Sequence, residues 1–159
     1  MTVLRFFMLL SLVIWLGAIV FFGTVVAPTL FSVLPTRQLA GMVVTRTLTA
    51  LHWIGIASGI VFAFTSMVCS RRALGTAQPL APRHLLVYFM IVLVLFSQFV
   101  ISARMNTLRF AMGEIDRLPP DDARRIEFNR LHHWSTRVEL IVLGLGLAVL
   151  YLTARAFEP

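Results

Sequence analysis

Lysine is missing from this chain of 159 residues, so all 14 positive charges are arginine, set against only seven acids. A single cysteine, Cys69, excludes an internal disulfide and a cysteine metal cluster. Charge is also absent over long stretches: none lies between Arg5 and Arg37, between Arg46 and Arg71, or between Arg83 and Arg104. Each gap has room for the helix of about 20 apolar residues that crosses a bilayer core roughly 30 Å thick. A shorter fourth gap runs from Glu139 to Arg155. Lipid offers backbone N–H and C=O groups no partner, so segments of this kind cross as helices. With 58% hydrophobic residues and a mean hydropathy of +0.87, little remains from which to build a soluble domain. The net charge of +7 sits at the ends of the apolar segments. That is the place of membrane-flanking cations and argues against a nucleic-acid partner.

These gaps predict one all-α domain over residues 1–159, a four-helix transmembrane bundle with helices at about 4–27, 37–69, 83–118 and 121–157. The first segment reads as a retained helix, because its apolar run exceeds the roughly 7–15 residues of a leader's hydrophobic region. Pro28 is expected to end or kink it, and Thr36 to cap the second helix. Gly55 and Gly59 in helix two, and Gly144 with Ala148 in helix four, have the small-xxx-small spacing that lets helices approach closely. After Arg83 no breaker occurs until Pro119-Pro120, and Asp121 and Asp122 then open helix four. Helices three and four are therefore expected to extend beyond the membrane as an antiparallel hairpin of roughly 20 Å.

Polar residues gather at one membrane boundary: Arg37, Arg46, Arg104, Arg109, Asn129, His132, Ser135 and Glu139. Phe128, His132, Ser135 and Glu139 recur at spacings of four, three and four, which is one helical stripe. Glu139 is drawn into the boundary, where an unpaired carboxylate is costly. Arg104 is its expected partner, with Arg46 and Arg137 as competitors. Such a pair reads first as a clamp between helices and second as a group that handles protons or ions. His52, six positions inside helix two from Arg46, is the embedded histidine. It reads as a core residue before it reads as a haem or copper ligand. Neither H-E-x-x-H, a nucleotide loop, a G-x-S-x-G elbow nor a nucleophile triad is present. The expectation is thus a non-enzymatic protein without a cofactor, which contacts lipid and a protein partner or a second copy of itself.

The run Phe21-Phe22-Gly23-Thr24-Val25-Val26-Ala27-Pro28, followed by Leu34-Pro35, Arg37 and Ala40-Gly41, resembles the first half of a bacterial membrane family of unknown function related to eukaryotic transmembrane protein 205. Ser102-Ala103-Arg104 and Phe128-Asn129-Arg130-Leu131-His132, with Ser135 after it, resemble its second half. The resemblance implies a four-helix protein of the bacterial inner membrane with no established reaction. The positive-inside rule then puts the hairpin end in the cytoplasm. It also implies asparagine where this chain has Glu139. A more distant likeness, in fold alone, is to four-helix membrane proteins of the copper-resistance and protoporphyrinogen-oxidase types.

Overall fold

A computed structural model of the protein describes residues 2–113 and 118–156. Among these the structure is all-α. Four helices are long and apolar enough to cross a membrane: α1 (Thr2–Val33), α2 (Arg37–Leu74), α3 (Pro82–Met112) and α4 (Ala123–Arg155). They pack as a ring in chain order, α1 on α2, α2 on α3, α3 on α4, with α4 closing back on α1. That order leaves α2 and α4 diagonal to each other. Large apolar side chains such as Phe64, Val92, Phe99 and Leu140 remain exposed around the outside. On a soluble protein such a belt would be an aggregation surface, whereas in lipid it is the correct face.

Three helix ends differ from the sequence expectation, each for a local reason. Pro28 does not stop α1. A π-helical turn over Phe22–Val26 precedes it, with Ala27 N–H donating to the Phe22 carbonyl five positions back. The wider turn accommodates a ring that would otherwise press on the carbonyl of Thr24 and leave it without a donor, and the helix continues to Val33. The second helix runs on to Leu74, where Gly75 at φ +76° supplies the left-handed cap and donates to the Arg71 carbonyl at 3.0 Å. The third stops at Met112, before the expected 118, because Gly113 turns to φ +64°. Residues 114–117 of the expected helix lie outside the described residues. Thr36 caps α2 as expected, its hydroxyl accepting from Leu39 N–H at 3.2 Å.

The core places large residues against small ones. Trp15 of α1, 1% exposed, lies flat on Gly55 and Gly59 of α2. A Cβ on Gly59 would sit 2.9 Å from the Trp15 ring and 3.0 Å from Ile91 of α3. In α4 the close approach is at Gly146, against Leu16, whereas a Cβ on Gly144 would meet nothing within 4 Å. The expected face at Gly144 is therefore shifted by two positions, onto the side of α4 that carries Val142 and Val149.

Two expectations follow. Gly59→Val should lower stability by about 1–3 kcal/mol through overpacking, while Gly144→Ala should be neutral or stabilising by up to about 1 kcal/mol. Thermal unfolding in detergent separates the two. Asp122 caps α4, its Oδ1 accepting from Arg124 N–H at 2.8 Å and its Oδ2 from the Arg124 guanidinium at 2.9 Å. The Arg124 side-chain bonds, then its N–H, hold the Asp122 carboxyl down at about 2, below the ordinary 3.8. A depressed carboxyl stabilises the fold fully above its unfolded value and loses that effect as pH falls through the folded one. Protection of the first-turn amides of α4, exchange measured relative to the intrinsic rate at each pH, should therefore stay constant from neutral pH to about 4 and be lost as pH falls from there towards 2.

Candidate functional site

A buried polar group lies where α2, α3 and α4 face one another. His52 of α2 has no exposed side-chain surface. Its Nε2 is 2.7 Å from Oε1 of Glu139 on α4, and its Nδ1 is 2.7 Å from Oε1 of Gln98 on α3. Gln98 in turn donates through Nε2 to the Thr49 hydroxyl at 3.4 Å, and that hydroxyl donates to the Thr45 carbonyl at 3.0 Å. Sequence periodicity explains the convergence. On α4, Ser135, Val138, Val142, Gly146 and Val149 form the buried stripe, and Glu139 flanks it. On α3 a π-helical turn over Ser97–Ser102 sits where Gln98 must reach inward. Such turns insert one residue and re-aim the side chains beside them. Glu139 Oε2 and the Ser97 hydroxyl are buried here without a hydrogen-bond partner among the described residues.

Towards the end where α1 meets α2 lies a second polar group. Arg109 of α3 is 6% exposed. Its Nη1 donates to the Thr45 hydroxyl at 2.8 Å and to Asn106 Oδ1 at 3.3 Å, and the guanidinium lies 5.5 Å from the centre of the Phe128 ring. Gly41 makes room for it, since a Cβ there would be 3.0 Å from Nη2. In the opposite direction from His52 the adjoining layer is mostly apolar, with Leu12, Trp15, Phe62, Met90, Val94 and Val142 each at most 1% exposed, and the buried hydroxyls of Ser58, Thr65, Ser66 and Thr153 are interspersed or lie beyond.

The expected Glu139–Arg104 pair does not form. Arg104 binds Glu127 in a two-point fork, Nε to Oε1 at 2.8 Å and Nη2 to Oε2 at 3.0 Å, on the outside of the bundle. Glu127 precedes Glu139 by twelve positions, about 18 Å of helix, so Arg104 and Glu139 are not at one depth. Nor do the competitors reach it, since Arg46 is exposed and Arg137 stacks on Trp134 at 5.4 Å. Of the other boundary residues, Arg37, Asn129 and His132 are exposed and Ser135 is buried. The eight residues therefore do not form one cluster: Glu139 belongs with His52, Arg109 with Thr45, and Arg104 with Glu127.

Gln98 escaped the sequence reading because charge gaps are blind to neutral polar residues. It is the one amide in the apolar run after His84, and that was the available signal. His84 was missed as well, and His52 is not the only embedded histidine. His84 is wholly buried at the other end of the bundle, its Nδ1 2.7 Å from the Gln78 carbonyl oxygen, beside Arg83, which donates to Ser70 at 2.7 Å. As a metal or haem ligand His52 would have to give up one of two short hydrogen bonds. Among the described residues no three His, Cys, Asp or Glu side chains come together as a metal site.

The two pairs should respond differently to removal. His52→Ala leaves the Glu139 carboxyl and the Gln98 amide without their partner in the interior and should cost about 1–3 kcal/mol. Arg104→Ala removes a solvent-screened pair and should leave the melting temperature unchanged within error. Thermal unfolding of the two variants in the same detergent is the check.

Neither curated proteins nor solved structures give a match to the chain. One family model does, over residues 10–114, roughly two thirds of the sequence. The match includes His52, Gln98 and Arg109 but ends before α4, so the Phe128–Ser135 motif and Glu139 lie outside it. On the strength of α1, α2 and α3, the chain belongs to the family described as Domain of unknown function (DUF4149).

Proposed function

We propose that this is a non-enzymatic multi-pass protein of the bacterial inner membrane whose interior polar cluster sets the arrangement of its helices. The observation that supports the reading best is the His52–Glu139 hydrogen bond, which joins two diagonal helices while Gln98 brings in a third. Hydrogen bonds between helices in lipid give each helix a definite depth and rotation, because a slipped register leaves polar groups unpaired in hydrocarbon. In this reading the last turns of α3 and the first turns of α4, tied by Arg104 and Glu127, stand beyond the lipid on the cytoplasmic side. The exposed Asn129, Arg130, His132 and His133 then offer headgroups, a protein partner or a second copy a polar surface. Kinship with eukaryotic transmembrane protein 205 rests on sequence resemblance alone.

Two measurements test the reading. In a Cys69→Ser background, cysteine pairs placed across α2 and α4 should cross-link at one register. In the combined variant His52→Phe, Gln98→Leu, Glu139→Leu the bundle should remain as thermostable, since apolar replacements of a buried ionic group are often neutral or better, while cross-linking spreads over neighbouring positions. An unchanged pattern would remove the organising role. Separately, stoichiometric haem or copper in gently purified protein, lost on His52→Ala, would replace this reading with a cofactor-linked one.

A further inference from the structure

We infer that His52 and Glu139 together form a binding site for one proton, open to the Arg109 end of the bundle and closed towards the other. The hydrogen-bond directions carry this step by step. Thr49 has one hydroxyl proton and gives it to the Thr45 carbonyl. Its oxygen can then only accept, so the Gln98 atom facing it is the amide nitrogen, and the Gln98 oxygen faces His52. An amide oxygen cannot donate. The proton on that side therefore belongs to His52 Nδ1.

The other ring nitrogen, Nε2, is 2.7 Å from Glu139 Oε1. With Nδ1 protonated, a neutral imidazole presents a lone pair at Nε2, and an ionised carboxylate would meet it with another. Contact at this distance requires a proton between them. It resides on Oε1 beside a neutral imidazole, or on Nε2 beside a carboxylate. Transfer between the two breaks the Oε1–H bond and forms Nε2–H, the bonding pair staying on oxygen. In both forms the pair is neutral overall. Losing the proton leaves a net negative charge in a low-dielectric interior, with Oε2 already lacking a partner among the described residues.

The charged surroundings are sparse. The first helix brings Trp15 to this part of the core. On α2 the nearest charge is Arg46, exposed on the surface. Of the arginines on α3, Arg83 donates to Ser70 at the other end, Arg104 is committed to Glu127, and Arg109 touches Thr45, seven positions or about 10 Å of helix before His52. On α4 Arg137 stacks outward on Trp134, and His132 is exposed. Among the described residues Arg109 is thus the buried arginine on the Thr49–Thr45 side of the pair. Access follows the same asymmetry: Thr49, Thr45, Asn106 and Arg109 lead towards one end, and the apolar layer from Trp15 to Val142 blocks the other.

The proton proposal concerns the same cluster but does not depend on its organising role, since protonation and helix register are read separately and either can fail alone. The test uses the full chain in lipid nanodiscs with ¹⁵N-labelled histidine, His52 assigned by its disappearance in His52→Gln. At neutral pH the wild type should show Nδ1 protonated and a strongly low-field proton shared at Nε2. A His52 protonated on Nε2 alone, beside an ionised carboxylate, would overturn the proposal. Gln98→Leu removes the acceptor that holds the proton on Nδ1. It should convert His52 to the Nε2–H form and abolish the low-field signal, and a persisting signal would count against the argument. Proteoliposomes containing a pH dye should show no steady proton flux. A flux lost in Glu139→Gln would overturn the closed side.

Discussion

A histidine ring with an oxygen 2.7 Å from each nitrogen, deep in a bundle that faces lipid, constrains everything around it. In water either partner could drift away and be hydrated. In hydrocarbon a stranded carboxylate or amide costs several kcal/mol, so α2, α3 and α4 must present His52, Gln98 and Glu139 at one depth and one rotation. The π-helical turn over Ser97–Ser102 follows from that demand. It interrupts regular winding beside Gln98, so that the amide turns inward while Val94 on one side and Ile101 and Met105 on the other still face the core. The small residues follow too. Diagonal helices can share a hydrogen bond this short only if ring neighbours pack closely, which Trp15 on Gly55 and Gly59, and Leu16 on Gly146, make possible.

This cluster divides the interior into unlike halves. On the Arg109 side, side-chain hydroxyls satisfy themselves on their own helix: Thr45 donates to the Gly41 carbonyl and Thr49 to that of Thr45. Threonines bonded in this way can line a helix in lipid at little cost while keeping an oxygen free to accept, as both do here. Arg109 can be buried because three neutral neighbours, Thr45, Asn106 and the Phe128 ring, replace its water. On the far side an apolar layer comes first, and the back-bonded hydroxyls of Thr65 and Thr153 and the group of Ser70, Arg83 and His84 lie beyond it. The result is a buried polar centre with a hydroxyl ladder against one side and an apolar layer directly against the other.

The architecture was legible because long uncharged stretches are what hydrocarbon thickness demands: three gaps of twenty or more residues and a shorter fourth mark the four helices long and apolar enough to cross. The Thr36 cap was legible because it is a local event. What failed was pairing across helices. Glu139 and Arg104 were placed at one level from the ends of two apolar runs. In an antiparallel pair, however, level depends on the length of the turn between the helices, and the true opposite of Arg104 is Glu127. Rotation was equally invisible, since a stripe at spacings of four, three and four says which residues share a face and not which neighbour that face meets. Phe128 and Glu139 share such a stripe, yet one covers Arg109 and the other reaches His52.

The acid at position 139 is more than a register device needs. The asparagine implied there by the family resemblance has an amide hydrogen to offer His52 Nε2 and nothing to titrate. Glutamate adds one methylene and an ionisable group, and it obtains the same hydrogen bond only by holding a proton that water could take away. The matched region supplies His52 and Gln98 as a neutral acceptor-and-ring pair, and α4 decides what faces the second ring nitrogen. An amide at that position makes the cluster purely structural. A carboxyl makes the same contact depend on one further proton, shared with the ring across 2.7 Å, and the ladder from Thr49 to Arg109 is the polar route that adjoins it.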